Sequence, residues 1–211
     1  MIIENIFEKH GFGDIVAYIG KDITDSMIDE CFEIDRNFYD DEYSWETSEI
    51  RQIVKNLGHL CFVFYDRADK KVMGYSFWLP VKTKVFNAFI KEKLMLLNVK
   101  KNYCSDYNES ENVNLFLGGE AFVSGYDLKS FHKAVEDAFQ SRILDMAKAG
   151  IKVKFIAAES CCDYDEKYLI PKLGLSNKVM KDKSIFYYDE YKPQMVYKDS
   201  EYVKKLYEFY K

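Results

Sequence analysis

Glu120 is the first residue to invite a chemical reading, because it is the one acid in the apolar run Val113–Val123, VNLFLGGEAFV. A carboxylate held among apolar side chains gains proton affinity and approaches the range of a working base. Strand alternation would put Glu120 on one face with Phe116 and Phe122, with Gly118 leaving room beside it. Two readings stand for it, an active-site base and an acid on an exposed edge. The neighbouring pair Gly118-Gly119 weakens a strand interior, and glycine is tolerated there at a bulge or where a ligand or another backbone comes close. Downstream, FVSGYDLKSFHKAV (Phe122–Val135) breaks from strand to turn to helix, a junction where backbone N–H groups can cradle phosphate. Asp127 is also a good cap for a helix starting at Leu128. In that role it would occupy the same N–H groups and set like charge beside an anion, which Lys129 offsets in part.

A second cluster, RNFYDDEYSWE (Arg36–Glu46), mixes Phe38, Tyr39, Tyr43 and Trp45 with Asp40, Asp41, Glu42 and Glu46. Rings and carboxylates together suit an amine cation through cation–π contact and ion pairing; a solvated loop with its rings tucked into the core is the other reading. Cys161-Cys162 are adjacent, and the three histidines, His10, His59 and His132, lie far from them in sequence, so no metal site is supported. A thiol nucleophile there competes with an inert reduced pair.

These residues must be held by elements that periodicity makes visible. Asp14–Gly20 reads as a strand. A helix follows behind a Thr/Asp cap, with Ile23, Met27, Ile28, Cys31, Phe32, Ile34, Asp35 and Phe38 near helical spacing. SWETSEIRQIVKNLG reads as a second helix with Ile50, Ile53, Val54 and Leu57 on one face and Gly58 as its stop. HLCFVFYD, the turn RADK and KVMGYSFWLPV form an antiparallel hairpin. Val81–Lys101 fits an amphipathic helix, and NYCSDYNESEN a polar loop. Val113–Val123 is then a central strand feeding a long helix over Leu128–Ala149. A strand over Ile151–Ala158, a short helix closed by Gly174, a final strand or hairpin and a helical tail from Ser200 follow. Strand, long helix and strand in succession demand one parallel pair.

Composition sets the bounds. With 211 residues, 48% of them hydrophobic, the chain can fill one core, and no Ser/Gly/Pro-rich linker divides it. A net charge of −5 with interspersed signs offers no basic stripe for nucleic acid and no polybasic membrane anchor. No apolar run nears the roughly 20 residues of a membrane span, and MIIENIFEKH lacks the features of a secretory signal. Five scattered cysteines point to reduced thiols, so a cytoplasmic setting is expected.

On this order of elements, and on KKVMGYSFWLPV, NLFLGGEAFV, AGIKVKFIAAES and YLIPKLGL, the chain resembles the GNAT superfamily, the Gcn5-related N-acetyltransferases, over roughly Asp14–Tyr191. The segment between FWLPV and VNLFLGG resembles an insertion in a bacterial group of GNAT-like proteins with a degenerate acetyl-CoA phosphate loop. The resemblance implies a single α/β domain over 1–211, core about 14–191 and tail 192–211. Its mixed, mainly antiparallel sheet would be flanked by helices, with a helix inserted between the third and fourth strands. It further implies acetyl-CoA or another acyl-CoA, with pantetheine entering where two parallel strands splay apart and pyrophosphate resting at the following helix. The residues for this are Gly118, Gly119, Ala121, Val123, Ser124, Gly125 and Lys129, although SGYDLKSF keeps only one glycine of the family's phosphate loop. The acceptor, a small amine, falls to Tyr39, Asp40, Asp41, Glu42 and Tyr43.

Glu120 is the implied base. Ile170 occupies the position of the family's acidic tyrosine, so Tyr168, two residues earlier, is the substitute. The expected activity is N-acyl transfer from acyl-CoA to a small amine. The alternatives are a GNAT-shaped binding or sensing module and a homodimer built on the inserted helix and aromatic tail. Nucleic acid, membrane and metal are not expected partners.

Overall fold

The computed structural model describes residues 2–37, 47–91, 100–105, 112–123, 128–160, 165–180, 185–193 and 200–210. The chain forms two compact units, Met1–Leu79 with Gly119–Phe139, and Pro80–Gly118 with Gln140–Lys211.

The first unit opens with β1 (Ile2–Ile3) and α1 (Asn5–Lys9), two elements that periodicity does not announce. β2 (Ile15–Ile19), β3 (Cys61–Asp66) and β4 (Lys71–Val81) follow the expected antiparallel course, pairing Tyr18 with Val63 and Val63 with Tyr75. The hairpin turn closes because Asp66 Oδ1 accepts from the N–H groups of Ala68 and Asp69, at 2.8 and 3.1 Å. Between β2 and β3 lie α2 (Asp25–Arg36) and α3 (Thr47–Leu57). Thr24 caps α2 by accepting from the Met27 N–H at 3.2 Å, and Met27, Ile28, Cys31 and Ile34 are buried along it. Lys55 of α3 pairs with Asp25 of α2 at 2.7 Å, and Arg51 with Asp29. Gly58 ends α3 for want of room, since a Cβ there would lie 2.0 Å from the Val54 carbonyl oxygen. The core of this unit is aromatic. Phe64 has Phe7 at 5.6 Å and both Phe122 and Phe131 at 5.7 Å between ring centroids.

The second unit holds α4 (Thr83–Ile90), most of β5 (Asn112–Phe122), the later turns of α5 (Leu128–Lys148), β6 (Lys152–Ser160), α6 (Ile170–Lys172), β7 (Asn177–Met180), β8 (Ile185–Glu190) and α7 (Glu201–Leu206). β5 and β6 are parallel from Asn112–Lys152 to Leu117–Ala158, the pair that the strand, helix, strand succession demanded. Phe116 packs against Phe89 at 4.7 Å and Phe186 at 5.3 Å. The strand order of the mixed, mostly antiparallel sheet is β1-β2-β3-β4-β5-β6-β8-β7. The inserted helix is shorter than periodicity suggests. α4 stops where Lys91 leaves helical geometry, and residues 92–99 lie outside the described ones. Nor is the start of the polar segment a free loop. Lys101–Tyr103 form a 3₁₀ turn, and buried Cys104 bridges Val81, with the Ser105 N–H donating to Pro80 O at 2.7 Å. Among the described residues no helix is long and apolar enough to cross a membrane.

Two predictions follow from how strands are closed. β8 pairs with β6 only from Phe155 onward, so the Val153 N–H is met instead by the Tyr210 hydroxyl at 2.7 Å, beyond the end of α7. Burial pushes the Tyr210 phenol up to about 12, against the smaller opposing effect of the Val153 bond. A tyrosine whose folded pKa is raised contributes its stability fully below about pH 10 and loses it as pH climbs toward 12. Tyr210→Phe should cost about 1–3 kcal/mol in urea unfolding at pH 7 and should flatten the alkaline decline of wild type. Gly74 of β4 lies so close to β5 that a Cβ would sit 2.5 Å from the Ala121 carbonyl oxygen and 2.4 Å from Phe122 Cδ1. Gly74→Ala should therefore lower stability by about 1–3 kcal/mol, read as a shifted urea midpoint.

Candidate functional site

β5 has edges of unequal length. Its ladder with β6 ends at Leu117–Ala158, yet the strand runs on to Phe122. On the other edge β4 accompanies it to Val123, whose N–H donates to the Met73 carbonyl at 2.9 Å. The five residues beyond the ladder begin with Gly118-Gly119, the pair whose sequence marked a close approach. The structure shows what approaches Gly119: a Cβ there would lie 3.0 Å from the Tyr75 hydroxyl oxygen.

Tyr75 and Ser76 are successive residues of β4 and point to opposite faces of the sheet. Ser76 is buried and donates to Glu120 Oε2 at 2.7 Å. Its face is that of α5, where Trp78 lies tilted against Phe139 at 4.8 Å and Phe122 meets Phe131 at 5.4 Å between ring centroids. Glu120 does share this face with Phe122, as alternation implied, and it is half-buried. Tyr75 is 3% exposed, lies against Phe77 at 4.6 Å between centroids, and donates its hydroxyl proton to Asp35 Oδ1 on α2. Two carboxyls thus flank the start of the β5 overrun, one from each face.

Asp35 sits in the last turn of α2, where burial pushes its carboxyl above the ordinary aspartate range and the Tyr75 hydrogen bond pulls it part of the way back. One turn earlier, Cys31 is buried, and burial together with the charges of Asp35 and Glu30 holds its thiol well above the ordinary range, so it is no nucleophile. Glu30 accepts from the Val72 N–H at 2.9 Å. Two carboxyls of α2, Glu30 and Asp35, are therefore bonded to β4.

Of the residues expected from sequence, Gly118, Gly119, Glu120, Ala121 and Val123 come together along the end of β5. Lys129 is exposed in the first turn of α5, which starts at Leu128 as expected. Ser124, Gly125 and Asp127 lie outside the described residues, as do Tyr39, Asp40, Asp41, Glu42, Tyr43 and the pair Cys161-Cys162. Tyr168 falls in a single π-helical turn, Asp165–Leu169, with its side chain outside the description, and Ile170 behind it is 3% exposed. Sequence reasoning missed Asp35 and Tyr75. The available signal was an acid within the apolar spacing of α2. Among the described residues no group of three or more His, Cys, Asp or Glu is placed to hold a metal ion.

No family model matches the chain, and no curated protein matches it. Solved structures do. NAA60 of Arabidopsis thaliana in complex with acetyl-CoA superposes with a TM-score of 0.53 at 12% identity, over 83% of this chain and 98% of that one. Ard1 from Thermoplasma volcanium gives 0.50 at 11%, over 84% and 97%. A GNAT-like decarboxylase, GphF, in complex with isobutyryl-CoA gives 0.56 at 10%, over 82% and 98%. With this strand order and these superpositions along most of its length, the chain has the GNAT fold.

Proposed function

We propose that residues 1–211 act as a single N-acyltransferase domain that moves an acetyl or related acyl group from acyl-CoA to a small amine, in a cytoplasmic setting. The observation that carries this is the overrun of β5. In a GNAT fold, the central strand outlasts its parallel ladder by five residues, beginning at a glycine pair. Backbone groups from Gly118 to Val123 fit the pantetheine arm of the donor, since the first two residues carry no side chain to obstruct it. Ser124, Gly125 and Lys129, at the approach to α5, would hold the phosphates. The chain enters residues 38–46 directly from the last turn of α2, and Tyr39, Asp40, Asp41, Glu42 and Tyr43 would bind the amine there. Glu120 is this reading's first candidate for the base, and Tyr168 its candidate for protonating the departing thiolate.

A second reading, a binding module without acyl transfer, draws support from Ile170, a buried aliphatic group where the family's acid would stand. Calorimetry with acetyl-CoA, followed by turnover on a panel of polyamines and aminoglycosides, separates the two. The transferase reading expects one binding site and measurable transfer. Binding without turnover on any amine would leave the module, and absence of binding would remove both. Within the transferase reading, neutralising Asp40, Asp41 and Glu42 together should raise the Michaelis constant for the amine about tenfold or more and leave acetyl-CoA affinity nearly unchanged.

A further inference from the structure

We infer that α2 is a pH-sensitive strap of the first unit, whose hold on β4 tightens when Asp35 takes up a proton. Its separate hold on α3 loosens only in stronger acid, when Asp25 does the same. The inference concerns the protein without ligand and stands apart from the transferase reading.

The observation that carries it is how α2 divides its acids. Asp25, Asp29 and Glu33 recur every four residues and are exposed, and each has a base. Asp25 has Lys55 at 2.7 Å and Arg51 at 3.4 Å, Asp29 has Arg51, and Glu33 has Arg36. Glu30 and Asp35 are half-buried instead, on the side of the buried Met27, Ile28, Cys31 and Ile34. Among the described residues both accept from neutral donors alone, Glu30 from the Val72 N–H at 2.9 Å and Asp35 from the Tyr75 hydroxyl. A carboxylate drawn out of water without a cation costs stability. Once protonated, Asp35 has no charge to desolvate, and its other oxygen still accepts the Tyr75 bond. Through Tyr75 this seat reaches β5, since a Cβ on Gly119 would lie 3.0 Å from the same hydroxyl oxygen.

The titratable groups around Asp35 are Tyr75 on β4 and, on its own helix, Cys31 and Glu30. At the β3–β4 turn beside Val72 stand Asp66, Asp69 and Lys71, the last two paired at 2.8 Å. From α3 come Arg51 and Lys55, both bonded to the exposed acids. Burial holds Asp35 above the ordinary 3.8, partly opposed by the Tyr75 bond. Its contribution to stability is therefore present in acid and lost as pH rises through the folded value. Lys55, aided by Arg51, holds Asp25 below 3.8, so that contribution is present above 3.8 and lost as pH falls through the folded value. Asp25 is exposed and its pairs are screened, which leaves Asp35 the larger effect. Hence α2 is held most firmly in weak acid, above 3.8 and below the folded value of Asp35.

The test is amide exchange of wild type, Asp35→Asn and Glu33→Gln at about pH 5 and about pH 8. Each rate is divided by that of an unstructured chain at the same pH, with β2 as internal reference. In wild type the protection of Cys31–Arg36 relative to β2 should be roughly threefold or more higher at the acid pH. Asp35→Asn should show equal protection at the two pH values, and Glu33→Gln should follow wild type. Equal wild-type protection at both, retention of the pH dependence in Asp35→Asn, or its loss in Glu33→Gln overturns the inference. A carbon-13 titration of the wild-type carboxyls needs no variant to fold. It should give Asp35 a midpoint above 3.8, and a midpoint at or below 3.8 would equally overturn the inference.

Discussion

The unequal pairing of β5 is the constraint on which the rest depends. One edge is held by β4 to Val123, and at Gly74 the two backbones come so close that no side chain fits. The other edge has β6 only as far as Leu117. Beyond Leu117 the β6 ladder no longer sets the register, and the chain holds the strand from both faces. Ser76 ties Glu120 on the α5 side, and Tyr75 stands against Gly119 on the α2 side. The glycines keep the overrun narrow and the flanking hydroxyls keep it fixed. A strand end past its β6 ladder, held between polar neighbours, is where the proposed donor arm would lie.

The cost of this arrangement is visible in α2. Its apolar stripe of Met27, Ile28, Cys31 and Ile34 drives it onto the sheet, and the same docking removes water from Asp35. An aliphatic residue at position 35 would pack without a desolvation penalty. The retained carboxyl finds one compensating bond, to Tyr75, and Glu30 a separate one, to the Val72 N–H. Both carboxyls are half-buried, and each is held by its bond to β4.

Much of the fold was legible because it is written in local periodicity. The Thr24 cap, the α3 face ending at Gly58, the β3–β4 hairpin, the apolar β5 and the long α5 each announce themselves within a dozen residues or so. A two-residue strand has no period to read, which is why Ile2–Ile3 went unannounced, and with it α1 and the His10–Asp137 contact at 2.9 Å that joins α1 to α5. The site was legible only in its strand. Gly118-Gly119 and Glu120 are contiguous and stood out, whereas Tyr75 meets Asp35 across 40 positions and Ser76 meets Glu120 across 44. Such pairs are set by register between β4 and its neighbours, which no window along the chain contains. Asp35 was already visible within the helical spacing, but an acid on an apolar face acquires meaning only once its partner is known.

The central claim is that the end of β5 receives the acyl donor along its backbone, and amide hydrogen exchange tests it most directly. Exchange at Gly118–Val123 should be followed with and without saturating acetyl-CoA, with β2 and β3 as internal references. The account predicts slowed exchange at one or more of these amides on the donor side, with β2 and β3 unchanged. Identical exchange along β5 in the two states, with acetyl-CoA shown by calorimetry to be bound, would place the donor elsewhere and contradict the account.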